Sequence, residues 1–414
     1  MVQQQAYTRP DFLTERPSAV FYVFGAISCE IQKRNEEKEQ IAVSKKLKIV
    51  FFAGKTSAII NFNSELIKNI VDNGHEVICL GPEDDCKEKI EKLGAKYAKI
   101  QLNRNSTNPL VVLNVIKRLK KYFRDNKFDL YYGFTTVPAT YGSIAAKLAG
   151  IKNIYVAITG AGKIVLPKKG IFEKFVRLVL ICLYKISLSG CKKVFFLNNQ
   201  NMEFFLKHKI AKQTQAVRVG GSGVNLEKFT PKPLGDRNSF LFVGSLLKLK
   251  GIMEYMEAAR MVKKKYPDAE FHIVGEIDER LSAISQDELN TYVCDGTVIY
   301  HGYQTDVRPY FAQCSCFVLP SYTEGIPTCV IEAMATQRPI ITTHAPGCSE
   351  TIVDGEDGFL VPVGDAEALA DKMIYMIEHR KDAEKMALSA LERVKQNFDV
   401  RKVNEKMIKT MSLD

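Results

Sequence analysis

Glu324 and Glu332 stand eight residues apart in residues 321–332 (SYTEGIPTCVIE), a stretch that joins two carboxylates to the chemistry of a helix start. It follows an apolar run of strand length and leads into an apolar helical run. Gly325 lets the backbone come close to a ligand, and Pro327 suits the first helical turn. The free N–H groups of that turn and the helix dipole suit a phosphate. Glu332 falls about one turn further in, on an otherwise apolar helix, where a carboxylate can accept two hydrogen bonds from a ribose diol. The competing reading is a capped helix in which Glu332 pairs with a nearby Lys or Arg.

Residues 244–251 (GSLLKLKG) follow another strand-like run. Lys248 and Lys250 would carry a cation into a cleft, and a diphosphate leaving group needs such a charge as its bond to a sugar breaks. A solvated basic turn is the alternative. Residues 220–224 (GGSGV) and 159–162 (TGAG) are Gly-rich loops that could admit a sugar or phosphate, although each alone also reads as a turn. Residues 54–57 (GKTS) match part of a phosphate-binding loop, but the upstream Gly is missing, which excludes an ATPase of that type. His272 and His301 read as packing residues at strands, and none of the six His forms a metal-like pair by spacing. The ten Cys are scattered without zinc-like spacing and read as reduced thiols of a cytoplasmic protein.

A chain of 414 residues exceeds one ordinary core, so two domains are expected. Apolar and charged contents of 46% and 25% are those of a soluble globular protein. A formal charge of +11 favours anionic partners: nucleotides, nucleic acid or an acidic membrane surface. No signal peptide is evident, and the greasy run 172–188 is broken by Glu173, Lys174, Arg177 and Lys185, so it is not expected to span a bilayer. With residues 110–128, that run combines cations and apolar side chains as an interfacial lipid binder would.

Residues 1–46 are polar and irregular and read as an extension of unassigned role. From residue 47 onward, apolar runs of strand length alternate with helical patterns, which indicates parallel α/β architecture. The pattern restarts after a polar connector, residues 225–238. The expected domains are therefore 47–222 and 223–399, with a helix in 400–414 packing back on the first. In open α/β sheets ligands bind at the C-terminal strand ends, here facing an interdomain cleft.

From about residue 47 to its end the chain resembles the family 4 retaining glycosyltransferases of GT-B fold, in which two Rossmann-like domains face each other across a cleft. The resemblance rests on the Glu-x7-Glu pattern of Glu324 and Glu332 within EGIPTCVIEAMATQRPII, preceded by FVLPS and followed by APGCSETIVDGEDGFLVPVGD. It implies that Glu332 holds the donor ribose, that Glu324 and the backbone of Gly325, Ile326 and Thr328 border the sugar and diphosphate, and that Lys250 meets the diphosphate. Gly244, Ser245 and Gly275 complete the implied donor set. The family's arginine after the first glycine is Ser245 here, and Lys248 is a candidate substitute. Gly54, Thr159, Gly160 and Gly162 are candidates for the acceptor or sugar side. The chain is most similar to enzymes that extend polyprenyl-diphosphate-linked glycans of bacterial capsules, O-antigens or glycoproteins. The softer signs are the IINF segment at residues 59–62, the TGAG loop, and GGSGVNLEKF.

The implied donor is a UDP-sugar, the implied acceptor a lipid-linked glycan at the inner face of the membrane, and neither a cofactor, a metal nor nucleic acid is called for. The implied chemistry is hexosyl transfer with retention, assisted by positioning and charge. A sugar-nucleotide epimerase or phosphorylase on the same fold, or a non-catalytic membrane assembly partner, are the alternatives. A nicotinamide dehydrogenase is disfavoured, since no GxGxxG opens the first helix of either half.

Overall fold

The computed structural model describes residues 46–102, 109–160, 164, 170–235, 237–278 and 283–414. The expected extension at 1–46 therefore lies outside the described residues, apart from Lys46. The first half runs β1 (Lys48–Ala53), α1 (Thr56–Asp72), β2 (Glu76–Gly81), α2 (Lys87–Glu91), β3 (Lys96–Lys99), α3 (Pro109–Asn126), β4 (Leu130–Phe134), α4 (Ser143–Leu148), β5 (Asn153–Ile158), α5 (Ile171–Leu188), β6 (Lys193–Phe196), α6 (Asn199–Lys207) and β7 (Ala216–Arg218). The second runs β8 (Ser239–Val243), α7 (Ile252–Lys265), β9 (Glu270–Val274), α8 (Gln286–Cys294), β10 (Ile299–Tyr300), α9 (Arg308–Gln313), β11 (Cys316–Leu319), α10 (Thr328–Ala335), β12 (Ile340–Thr343), β13 (Gly358–Val361), α11 (Ala366–Glu378), α12 (Arg380–Asn397) and α13 (Val400–Met411).

Two sheets result, ordered β3-β2-β1-β4-β5-β6-β7 and β10-β9-β8-β11-β12-β13, and every pairing is parallel. Parallel sheets are covered on both faces, so their central strands are apolar throughout instead of alternating. β1 shows this: Ile49 and Phe51 enter one side of the core, while Val50 and Phe52 enter the other, and all are fully buried. The side holding Ile49 and Phe51 is continuous with the core of the second sheet. The other is closed by α3, α4 and α5 through residues such as Phe123, Ala145 and Tyr184.

The chain crosses between the halves twice, side by side. Val224 N–H donates to the Phe398 carbonyl at 2.8 Å, and Val400 N–H to the Val224 carbonyl at 3.1 Å. α13 then lies on α1, and the Leu413 carbonyl accepts from Asn73 Nδ2 at 2.9 Å. This crossing explains Gly220 and Gly223 of residues 220–224. A Cβ on Gly223, which has φ +72°, would sit 2.5 Å from the Cα of Val400, and one on Gly220 would sit 2.5 Å from the Asn397 carbonyl. These two glycines admit the neighbouring chain, not a sugar or phosphate. Among the described residues no helix is long and apolar enough to cross a membrane.

Gly223→Ala is expected to cost about 2 kcal/mol or more, from the positive φ and the clash together. A thermal melt should fall by several degrees, and an unchanged melting temperature would contradict the close crossing.

Candidate functional site

The C-terminal ends of β8, β9 and β11 bring three loops together. After β8, Gly244 N–H donates to the Val274 carbonyl at 3.0 Å, and after β9, Gly275 N–H donates to the Gly302 carbonyl at 2.9 Å, so both glycines lie at neighbouring strand ends. Ser245 follows Gly244, and residues 248–250 form a single tight turn. That turn delivers Lys250 to Glu324, with which it makes an ion pair and hydrogen bond. Burial works against the Lys250 cation, but the adjacent Glu324 carboxylate outweighs it and holds the ammonium above its ordinary value. Glu324 also accepts from Ser321 Oγ at 2.9 Å. Lys248 does not join this pair. Its amine sits on Glu288 of α8 at 2.8 Å, and Glu288 is also part of the capping box with Ser285. The proposed stand-in for the missing arginine is thus engaged elsewhere.

Helix α10 starts at Thr328, with Pro327 as its N-cap and no side chain closing the cap. Gly325 and Ile326 lead into it. Glu332 projects from its second turn, half-buried, and among the described residues its carboxylate has no hydrogen bond or ion pair. The paired-carboxylate alternative therefore fails. Burial alone pushes Glu332 up to about 8. A carboxyl group in that state is poised to ionise for a ligand that donates to it.

Residues 48–198 match the model of the glycosyl transferase 4-like family, and residues 237–379 that of glycosyl transferases group 1. A Campylobacter jejuni N,N'-diacetylbacillosaminyl-diphospho-undecaprenol α-1,3-N-acetylgalactosaminyltransferase is 30% identical over 349 residues, which cover 81% of this chain and 90% of that enzyme. An Escherichia coli UDP-Gal:α-D-GlcNAc-diphosphoundecaprenol α-1,3-galactosyltransferase is 27% identical over 63% of this chain and 70% of its own. The structure of Anabaena HepE with UDP and glucose superposes with a TM-score of 0.73 at 17% identity, covering 88% of this chain and 99% of that one. The chain belongs to the family 4 glycosyltransferases. Its two parallel sheets are the GT-B fold.

In this glycosyltransferase the loop carrying Glu324 and Gly325 is held from behind by the first domain. Asn198, fully buried after β6, donates from Nδ2 to the carbonyls of Glu324 at 3.0 Å and Gly325 at 2.7 Å. Its Oδ1 at the same time caps α6 by accepting from Asn201 N–H at 2.8 Å. On the other side of this contact, Glu350 accepts from Asn199 N–H at 2.8 Å and from Arg218 at 3.0 Å, a carboxylate seated on a helix N-terminus. Gly347, with φ +77°, lets the APG turn touch the loop: a Cβ there would lie 2.1 Å from the Gly325 carbonyl. Asn198, Glu350 and Gly347 escaped the sequence reading. Asn198 pairs across 126 residues with a backbone carbonyl, for which no residue type in the loop gives a sign.

The acceptor-side candidates end the strands of the first sheet. Gly54 N–H donates to Thr135 Oγ1 at 3.4 Å. The helix start just beyond it is filled by Glu83, which accepts from Thr56 N–H at 2.7 Å, so this partial phosphate loop already holds a carboxylate. The Thr159 carbonyl packs against Gly325 at a distance that leaves no room for a Cβ. Gly160 follows it, and Gly162 lies outside the described residues. Beside Thr159 is a small cavity lined by Phe62, Asn63, Phe134, Ser222 and Asn404, and the Nδ2 of Asn404 has no partner. His272 on β9 and His301 just past β10 meet at 3.0 Å. Burial lowers both, and no metal-binding group of side chains is found among the described residues.

Two outcomes follow from this geometry. Glu332 keeps its proton in the folded chain up to about pH 8 but loses it from about 4.5 when unfolded, so it costs stability increasingly as pH rises between those values. Glu332→Gln should therefore melt higher than the parent at pH 8.5, converge with it near pH 4.5, and bind UDP about tenfold more weakly. Asn198→Asp keeps the α6 cap but replaces the donor to the loop carbonyls with an acceptor. It should lower the transfer rate about tenfold, measured well below its melting point, and the melting temperature should also fall by several degrees, since a buried carboxylate facing two carbonyls is costly. An unchanged rate would show that the loop does not depend on Asn198.

Proposed function

We propose that the chain transfers a hexose or N-acetylhexosamine, with retention at the anomeric carbon, from a UDP-sugar to a polyprenyl-diphosphate-linked glycan. The reading assigns it to bacterial surface polysaccharide or glycoprotein glycan synthesis. The observation that carries it is the contrast at the α10 start: Lys250 held cationic by Glu324, with Glu332 unpaired one helical step beyond. In this reading Glu332 accepts from the ribose hydroxyls. Gly244, Ser245 and Gly275 border the nucleotide, and Gly325, Ile326 and Thr328 offer backbone to the diphosphate. Lys250 turns from Glu324 to the phosphate whose charge grows as the bond to the sugar breaks.

The acceptor approaches from the first-domain side, by Gly54, Thr159, Gly160 and Gly162. Its hydroxyl attacks the anomeric carbon on the face from which UDP departs. One C–O bond forms as another breaks, and the proton passes to the leaving phosphate. Support for the donor comes from HepE with UDP and glucose and from the UDP-Gal enzyme of Escherichia coli. Support for the acceptor comes from the diphospho-undecaprenol substrates named for the two enzyme relatives. Such an acceptor places the work at the inner face of the cell membrane, with the protein peripheral to it.

A screen of UDP-, GDP- and ADP-sugars by saturation-transfer NMR should select a UDP-sugar, and preference for GDP-mannose would overturn that donor. Lys250→Ala should lower the transfer rate by roughly 10²–10³-fold. Chelation with EDTA should leave the parent rate unchanged, because Lys250 and the helix N-terminus serve where a divalent cation otherwise would.

A further inference from the structure

We propose that α5 lies in the surface of an anionic lipid bilayer and is the element that docks the first domain to it. This rests on the lipid-linked acceptor proposed above for its purpose, and on the surface itself for its argument. Ile171, Phe175, Leu178, Val179, Cys182 and Ile186 are all exposed, at spacings of four, three, one, three and four residues. That is one continuous stripe of a helix, and it faces outward. The inward stripe is already occupied: Tyr184 and Leu188 are buried, and Tyr184 packs on Phe205 with ring centroids 5.2 Å apart. The outward stripe is therefore surplus to folding. Isolated apolar residues at a surface need no explanation, but a contiguous row on one helix does.

Two further features choose the occupant. Lys174 and Lys185 are exposed on the same helix, and Arg177 lies over the Phe204 ring at 5.2 Å. In the same layer α3 adds exposed Leu110 and Leu113 with the cations Lys117, Arg118, Lys120 and Lys121, and α4 ends in exposed Leu148 beside Lys147. Cations flanking an apolar row suit anionic headgroups above an acyl layer. A second copy would set this basic surface against another in a chain of charge +11. In chain order α5 is the next helix described after β5, whose trailing Thr159 touches the loop at Gly325.

The chain contains no Trp, so Phe175→Trp gives a single reporter on the stripe. Its emission should shift to the blue on adding vesicles of phosphatidylcholine with phosphatidylglycerol, less so with phosphatidylcholine alone, and the shift should weaken with salt. Phe175→Ser with Leu178→Ser should reduce vesicle cosedimentation about tenfold or more, with melting temperature and transfer to a short-chain, water-soluble acceptor unchanged. Equal binding by parent and double variant, or a parent that binds no anionic vesicle, overturns the proposal. So does light scattering that finds a dimer dissolved by the double substitution while vesicles have no effect. Vesicle binding that depends on the stripe, in a protein that transfers to no polyprenyl-diphosphate glycan, supports the docking face and removes the proposed acceptor instead.

Discussion

Glu324 and Glu332 occupy the same low-dielectric corner, yet only one has a partner. Glu324 is paired with Lys250 and Ser321 and aims a cation. Glu332 faces burial with nothing to offset it, and so holds its proton at neutral pH. In the proposed function that asymmetry is what binds the donor: a ligand bearing both a diol and a diphosphate would relieve the second carboxylate and compete for the cation of the first. Folding stability is sacrificed at Glu332, as it often is at binding sites.

The corner works only if the loop carrying Glu324 and Gly325 stays in place, and that loop belongs to neither domain alone. The APG turn backs it from its own domain, while Asn198 and the Thr159 carbonyl meet it from the other. The paired crossings at Val224 and Val400 set the two halves close enough for this. Domain contact and the shape of the loop before α10 are thus one problem, solved by backbone approach at Gly220, Gly223, Gly325 and Gly347 and by one amide that reads two carbonyls.

Much of this was legible in the residues. Strands such as KIVFFA and CFVL announce themselves because a parallel sheet buried on both faces needs uninterrupted apolar runs. β3 (KYAK), an exposed edge, carries no such signal. Glu324, Glu332 and Lys250 stood out because their chemistry is written in side chains near glycines and a helix start. Gly220 and Gly223 were open to misreading, since a glycine's tolerance of close approach is the same whether a ligand or a chain approaches. Lys248 was drawn to Glu288 by a capping box not identified in the sequence. Asn198 and Glu350 act on backbone groups far along the chain, where sequence spacing carries no information.

The central claim is that a nucleoside diphosphate ionises Glu332 when it binds. Calorimetry of UDP binding near pH 7.5, repeated in buffers of different ionisation enthalpy, measures the protons exchanged. The account predicts net proton release by the parent protein, and its loss in Glu332→Gln. Equal proton exchange in the two proteins, or uptake by the parent, would contradict it.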